Sequence, residues 1–284
     1  MIDEQEILKK FESLTIRDNF IFTRTMEMYP NLCQRLLEEI LQVKISSIEY
    51  IEREKSIESR VDAKGIRLDV YVEDKTANRV FDVEMQISDV DHLSKRARYY
   101  QTLIDQDWLK RGESYKNLSK SYIIFICPFD RYGRGRYMYT FRWLCVEEPD
   151  IEIEDDATKI FLNTKGKRGN ISEELKNFLR YVDNGVVSGN LVSDFDDAIK
   201  SVKIAKETRL SYMTLEMALS EREMQGFELG VEKGLQEGRQ EGRQEEKNSI
   251  ALTMLQSKMS LDLVQKFTGL SIEKIHELSK KISK

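Results

Sequence analysis

The residues of this chain best placed to do chemistry lie in one stretch, Gly65 to Gln86, GIRLDVYVEDKTANRVFDVEMQ. Leu68, Val70 and Val72 alternate with Arg67, Asp69 and Tyr71. After EDKTAN, Phe81, Val83, Met85 and Ile87 alternate with Asp82, Glu84 and Gln86. Period-two alternation on both sides of a polar turn predicts a β-hairpin with one apolar face, and Lys75 to Asn78 make a four-residue loop. Centred on Thr76–Ala77, the hairpin sets Asp69 opposite Glu84 and Arg67 opposite Gln86. Like charges facing each other on a sheet repel by a few tenths of a kcal/mol up to about 1, and Asp82 stands beside them. A divalent cation reverses that sign: Mg²⁺ is held by one or two carboxylates, with water and phosphate oxygens completing its octahedron. The other reading is a polar hairpin face turned to water, and spacing alone leaves both open.

The elements that must position this hairpin are helices and further strands. Residues 1–44 read as helical, with Leu32, Leu36, Leu37, Ile40 and Leu41 on one face and Pro30 at a helix start. Residues 45–55 predict a first strand, followed by a polar linker from Ser56 to Lys64. After Gln86, the run Ser88-Asp89-Val90-Asp91 supplies caps for a helix from His92 to Leu109. The β-branched and aromatic run Tyr122 to Cys127 predicts a buried strand, and strands are expected at Arg136 to Cys145 and 159–164. Amphipathic helices follow over Ile171 to Val182 and Asp196 to Glu223. From these elements alone the fold class is α/β.

Composition narrows the function classes. A net charge of −5 over 284 residues argues against a protein that coats DNA electrostatically, but not against one with a local basic groove. From His92 to Arg142 there are eleven Lys and Arg against four acids, a surface suited to phosphate. Arg134 and Arg136 sit on a glycine-flexed turn within it. Glu147 to Asp156 carries seven acids in ten residues and is expected to face away from any such groove. Cys33, Cys127 and Cys145 are widely spaced in apolar surroundings, which predicts buried reduced thiols. A charged N-terminus and no apolar run near ~20 residues predict no secretory signal and no membrane span, hence a cytoplasmic protein.

The ordered set GIRLDVYV…VFDVEMQ, KRARYYQTLID, GESYKNL and SYIIFICPFD resembles the Rpn family of recombination-promoting nucleases, the PD-(D/E)XK nuclease family transposases. The likeness runs from Asp18 to Tyr212, and RDNFIF resembles the segment that opens the family. It implies an α+β mixed sheet flanked by helices, a restriction-endonuclease-like core, and a Mg²⁺-dependent DNA endonuclease in which Mn²⁺ can substitute. Asp69 and Glu84 would be metal ligands and catalytic, with the Met85 carbonyl as a third ligand. Gln86, where the broader motif has Lys, would orient water. Arg67, Arg96, Arg98 and Tyr100 would hold substrate phosphate. Glu38 or Glu39 is a candidate for an acid lent by a preceding helix, each with ordinary helix surface as its other reading; His92 is either a proton shuttle or a surface residue at a helix start. Rivals from other classes are a nuclease-like interaction protein that no longer cuts and a DNA-binding regulator led by a helix-turn-helix-like C-terminal module.

The C-terminal third changes character. Gly226, Gly230, Gly234, Gly238 and Gly242 recur every fourth residue within GFELGVEKGLQEGRQEGRQEEK. On a helix this makes a slowly drifting stripe, read either as a frayed helical spacer or as a close-packed face for homo-oligomers. Asn248 to Lys284 resembles a helix-turn-helix, with a turn at Thr268-Gly269-Leu270 and a second helix capped by Ser271. It has six Lys and three acids but no Arg, so base reading is weakly supported, and the rival for DNA binding is a small packing module. The expected organisation is a nuclease-like domain over 1–215, a glycine-repeat linker over 216–247 and a small helical module over 248–284.

Overall fold

The computed structural model describes residues 3–45, 48, 50–57 and 64–282. Contacts divide the chain into two compact units, Met1–Thr214 and Leu215–Lys284.

Three helices open the first unit: α1 (Glu4–Ser13), α2 (Asn19–Met28) and α3 (Pro30–Leu41). Pro30 sits in the first turn of α3, where its missing N–H has no helical partner to lose. There follow β1 (Tyr50–Ile57), β2 (Ile66–Asp74), β3 (Arg79–Met85), α4 (Leu93–Trp108) and β4 (Lys120–Cys127), in the expected order. Then come β5 (Met138–Phe141), β6 (Ala157–Asn163), α5 (Glu173–Asn184) and α6 (Asn190–Ile204).

The six strands form one mixed sheet, ordered β1-β2-β3-β4-β6-β5. β1, β2 and β3 are an antiparallel meander with the four-residue turn at 75–78, and Val70 faces Val83 in the expected register. β4 runs parallel to β3 and is reached over α4, while β6 runs parallel to β4 and β5 closes the edge antiparallel. Parallel strands are covered on both faces, so β4 is buried without a break from Ile123 to Cys127. Leu93, Ala97, Tyr100, Leu103 and Ile104 of α4 pack into one cluster with Tyr71, Ile123 and Phe125. α2 lies against β1 and β2.

Several boundaries differ from expectation. β1 starts at Tyr50, not at residue 45; Ile45 is buried ahead of it, and most of the linker, 58–63, falls outside the described residues. The helix start at α4 uses no side-chain cap; Arg131 instead binds the Asp89 carboxylate and the carbonyls of Val90 and Asp91. β5 spans only Met138–Phe141. The helix expected over 196–223 is two helices, α6 and α7 (Lys206–Gln256), separated at Ala205. No Gly or Pro marks that break. Lys203 Nζ donates to the carbonyls of Glu12 and Leu14 at 2.6 and 2.8 Å, tying the last turn of α6 to the end of α1. Cys33 and Cys127 are buried, and burial pushes both thiols up to about 12. Cys145 is only half-buried, with Glu147 beside its sulfur.

In the second unit α7 runs without interruption through all five glycines. A small core of Ala251, Val264, Leu270, Ile275 and Leu278 joins its end to α8 (Leu261–Thr268) and α9 (Ile272–Ile282). Gly269 ends α8 at φ +66°, a conformation that costs glycine nothing. Ser271 caps α9 by accepting the Lys274 N–H at 3.3 Å. Among the described residues no helix is long and apolar enough to cross a membrane.

Candidate active site

The pairing of β2 with β3 runs from Asp74–Arg79 to Val70–Val83. Beyond it the carboxylates take over from the backbone ladder. Asp69 N–H donates to Glu84 Oε1 at 2.9 Å, and Met85 N–H donates to Asp69 Oδ2 at 3.1 Å. Each acid thus bonds the other's strand, and the two converge. Charge-assisted bonds of this kind hold a carboxylate more firmly than neutral partners do. Asn19, the first residue of α2, donates from Nδ2 to Asp69 Oδ1 at 2.8 Å.

Gln86 is held on three sides. Its N–H donates to the Ile126 carbonyl at 3.0 Å, its side-chain Nε2 donates to the Ser88 carbonyl, and its Oε1 accepts from Arg96 Nη2 at 2.5 Å. The same Arg96 nitrogen lies 3.5 Å from Glu84 Oε2. The guanidinium sits over two rings, Phe125 at 5.2 Å and Tyr100 at 5.5 Å, contacts that favour a cation.

The polar face of the hairpin is not turned to water. Asp69, Glu84 and Gln86 are 9%, 4% and 8% exposed, and Asp82 is fully buried. Neither Asp82 oxygen receives an N–H or O–H from a donor group. Burial pushes Asp82 well above the ordinary carboxylate range, and the charges of Glu84 and Asp69 add to it. Burial likewise pushes Glu84 up to about 8, with Asp69's charge as the next cause. Asp69 is raised by burial against the opposing bonds from Asn19 and Met85. Burial and mutual repulsion therefore favour the protonated form of both Asp82 and Glu84.

Among the described residues no group of three or more His, Cys, Asp or Glu stands ready to enclose a metal ion. What the site offers is two converging acids and a third carboxyl without donors, crowded together beside the Arg96 guanidinium. Hard oxygen donors in that number fit a hard divalent cation that keeps most of its water.

Arg67, Arg96 and Tyr100 share a groove of about 610 Å³ with Lys64, His92 and Lys95. Arg67 also acts electrostatically on Asp69. Arg98 is not brought there: it lines a separate cavity with Arg142 and Lys159. Glu38 is spent on the Ile45 N–H at 2.9 Å and on Lys44 at 3.1 Å, and Glu39 accepts from the Ser172 hydroxyl. Asn19, on another helix, is the residue that reaches Asp69. Spacing could not find it, since the two residues are 50 positions apart; its only signal was its place in RDNFIF. Part of the acidic block neutralises local cations, Glu152 with Arg142 at 2.6 Å and Asp156 with Lys120 at 2.7 Å.

Comparison with known proteins finds two family matches. Residues 21–181 match the PD-(D/E)XK nuclease family transposase, and residues 244–280 match the Rpn/YhgA-like nuclease family, C-terminal HTH domain. No curated protein and no solved structure matches the chain.

Proposed function

Since the chain belongs to the PD-(D/E)XK nuclease family transposases, we propose that it is a divalent-metal-dependent DNA endonuclease that cuts phosphodiester bonds at Asp69 and Glu84. The observation that carries this reading is the exchange of bonds between the two acids across the mouth of the hairpin, beside Gln86 and Arg96.

Asp69, Glu84 and the Met85 carbonyl would hold the ion. Bound Mg²⁺ or Mn²⁺ supplies the Lewis acid that acidifies a water and neutralises charge developing on the phosphate. The chain's own residues do the rest. Gln86 carries no charge where the broader motif has Lys, but its amide is fixed by Arg96 and the Ser88 carbonyl, and it orients the water. Arg96 of α4, in direct contact with Gln86 and 3.5 Å from Glu84, supplies the positive charge that Gln86 lacks. Arg67, Arg96 and Tyr100 bind substrate phosphate in their shared groove, with Lys64 and Lys95 extending the cationic lining. Asn19 positions the Asp69 carboxylate.

The helix-turn-helix module over 244–280 holds DNA, and its phosphate contacts come from lysines alone. Self-association runs through the exposed face of α7. Reduced Cys33 and Cys127 suit a cytoplasmic setting, and promotion of recombination follows from strand cutting. The test is plasmid nicking with Mg²⁺ or Mn²⁺ by the native chain and by Asp69→Ala. Cutting by the native chain alone supports the reading. Equal nicking by both chains, or none by the native chain with either metal, leaves a nuclease-like scaffold that has lost the reaction.

A further inference from the structure

The cavity that takes Arg98 away from the carboxylates has a chemistry of its own. It holds about 260 Å³ and is lined by Ser94 and Arg98 of α4, Phe141 at the end of β5, Arg142 and Trp143 just beyond it, and Lys159 of β6. Three of these six are cations and none is an acid. Ser94 and Arg98 lie about 100° around α4 from Lys95 and Tyr99, which face the first groove. One helix therefore carries two cationic grooves on different flanks.

The two aromatic rings mark this groove off from the first. Trp143 is 59% exposed and Phe141 41% exposed, large apolar surfaces that a chain normally covers. They are not loose. Phe141 is backed by the rings of Tyr132 at 4.9 Å and Phe161 at 5.7 Å. The Trp143 carbonyl accepts the Ile153 N–H at 3.1 Å, which pins the segment that carries it. Arg142 is engaged with Glu152, whereas among the described residues no acid pairs with Arg98.

A partner for this lining must bring a flat π-face and negative charge together. An unpaired nucleotide does both, because its base stacks on an aromatic side chain while its phosphate meets Arg or Lys. A base-paired duplex meets only half of it, since its base faces are already stacked. We propose that this cavity is a second nucleic-acid subsite, which takes one unpaired nucleotide with the base on Trp143 and Phe141 and the phosphate on Arg98 and Lys159. α4 then separates a groove that leads to Asp69 and Glu84 from one that holds a strand drawn out of the duplex. The subsite stands on its own lining and not on the nuclease reading, because binding here needs neither metal nor cutting.

The chain has two tryptophans, so Trp143 itself reports. With Trp108→Phe as background and EDTA present, a thymidine 12-mer should quench Trp143 emission. Arg98→Ala with Lys159→Ala should weaken that binding about fivefold or more, and a hairpin-capped duplex of equal charge should bind and quench several-fold less. If Trp108→Phe lowers stability, the native chain minus Trp143→Phe gives the same signal. No quenching by the 12-mer, equal quenching by duplex, indifference to the two cation variants, or stronger quenching by an acidic tyrosine-containing peptide would each overturn the proposal. Asp69→Ala should keep this binding while losing nicking, so the two readings fail separately.

Discussion

The mouth of the β2–β3 hairpin and the middle of α7 depart from the ordinary inside–outside rule in opposite directions. At the hairpin, Asp69, Asp82, Glu84 and Gln86 are buried beside the apolar core of the sheet. On α7, Met224, Phe227, Leu229, Val231 and Leu235 stand exposed, Phe227 at 73%, beside glycines that each cost nearly 1 kcal/mol relative to Ala. A Cβ built at any of those five glycines would touch nothing within 4 Å. The hairpin tolerates its acids because Val80 and Phe81 of β3 and Phe125 and Ile126 of β4 are fully buried around them. Among the described residues no side chain covers α7 along this stretch, and local pairs such as Lys233–Glu237 at 3.9 Å add a few tenths of a kcal/mol at most. Each region is short of a partner. The first is short of positive charge, and the second of apolar cover.

Cutting should show the largest effect. Asp69→Ala is expected to lower plasmid nicking by about a hundredfold or more while leaving the sedimentation of the chain unchanged; nicking that survives breaks the contrast at the hairpin. Next is self-association. Phe227→Glu with Val231→Glu should raise the concentration at which the chain dissociates by about tenfold or more, read by analytical ultracentrifugation. A native chain that stays monomeric at high concentration would mean that no second copy covers the exposed face of α7.

A smaller effect is expected on stability against pH. Glu84 is held up to about 8 when folded, against an ordinary value of 4.5. Between those values the folded chain binds more protons than the unfolded one, so stability is full at the acid end and declines as pH rises towards 8. Thermal unfolding should show that decline. Asp82→Asn, which removes one of the crowded carboxyls, should raise Tm at pH 8 by a few degrees, since about 1 kcal/mol moves Tm by 2–4 °C in a unit of this size. A flat profile would mean that the acids are solvated after all. The smallest effect separates the two meanings of the glycine stripe. Gly230→Ala with Gly234→Ala should raise helicity, by just under 1 kcal/mol at each position, if α7 is a spacer. If the stripe is a close-packed face, the same pair should weaken association.

Local pattern carried the hairpin far. A four-residue turn between alternating runs leaves one register that buries the apolar set, and Val70 does face Val83. The order of helices and strands around it was legible for the same reason, as was the cap at Ser271. What failed was whatever depended on neighbours distant in sequence. β1 starts five residues late, α6 ends at Ile204 without a breaker, and the segment ahead of α4 is held by Arg131 on Asp89, Val90 and Asp91 with no side-chain cap from Ser88–Asp91. Glu38 and Glu39 are occupied by Ile45, Lys44 and Ser172, none of which spacing could connect to them.

That Asp69 and Glu84 meet follows from residue order alone, because strand pairing across a tight turn is a short-range matter. What surrounds them came from packing between distant segments: α4 covers the hairpin's polar side and brings Arg96 to the acids, α2 brings Asn19 to Asp69, Asp82 is buried without a donor, and Arg98 turns into a different groove. Side-chain alternation says which residues share a face. Whether water or another element covers that face depends on packing between segments fifty residues apart, and on that packing the energy of every charge in the site depends.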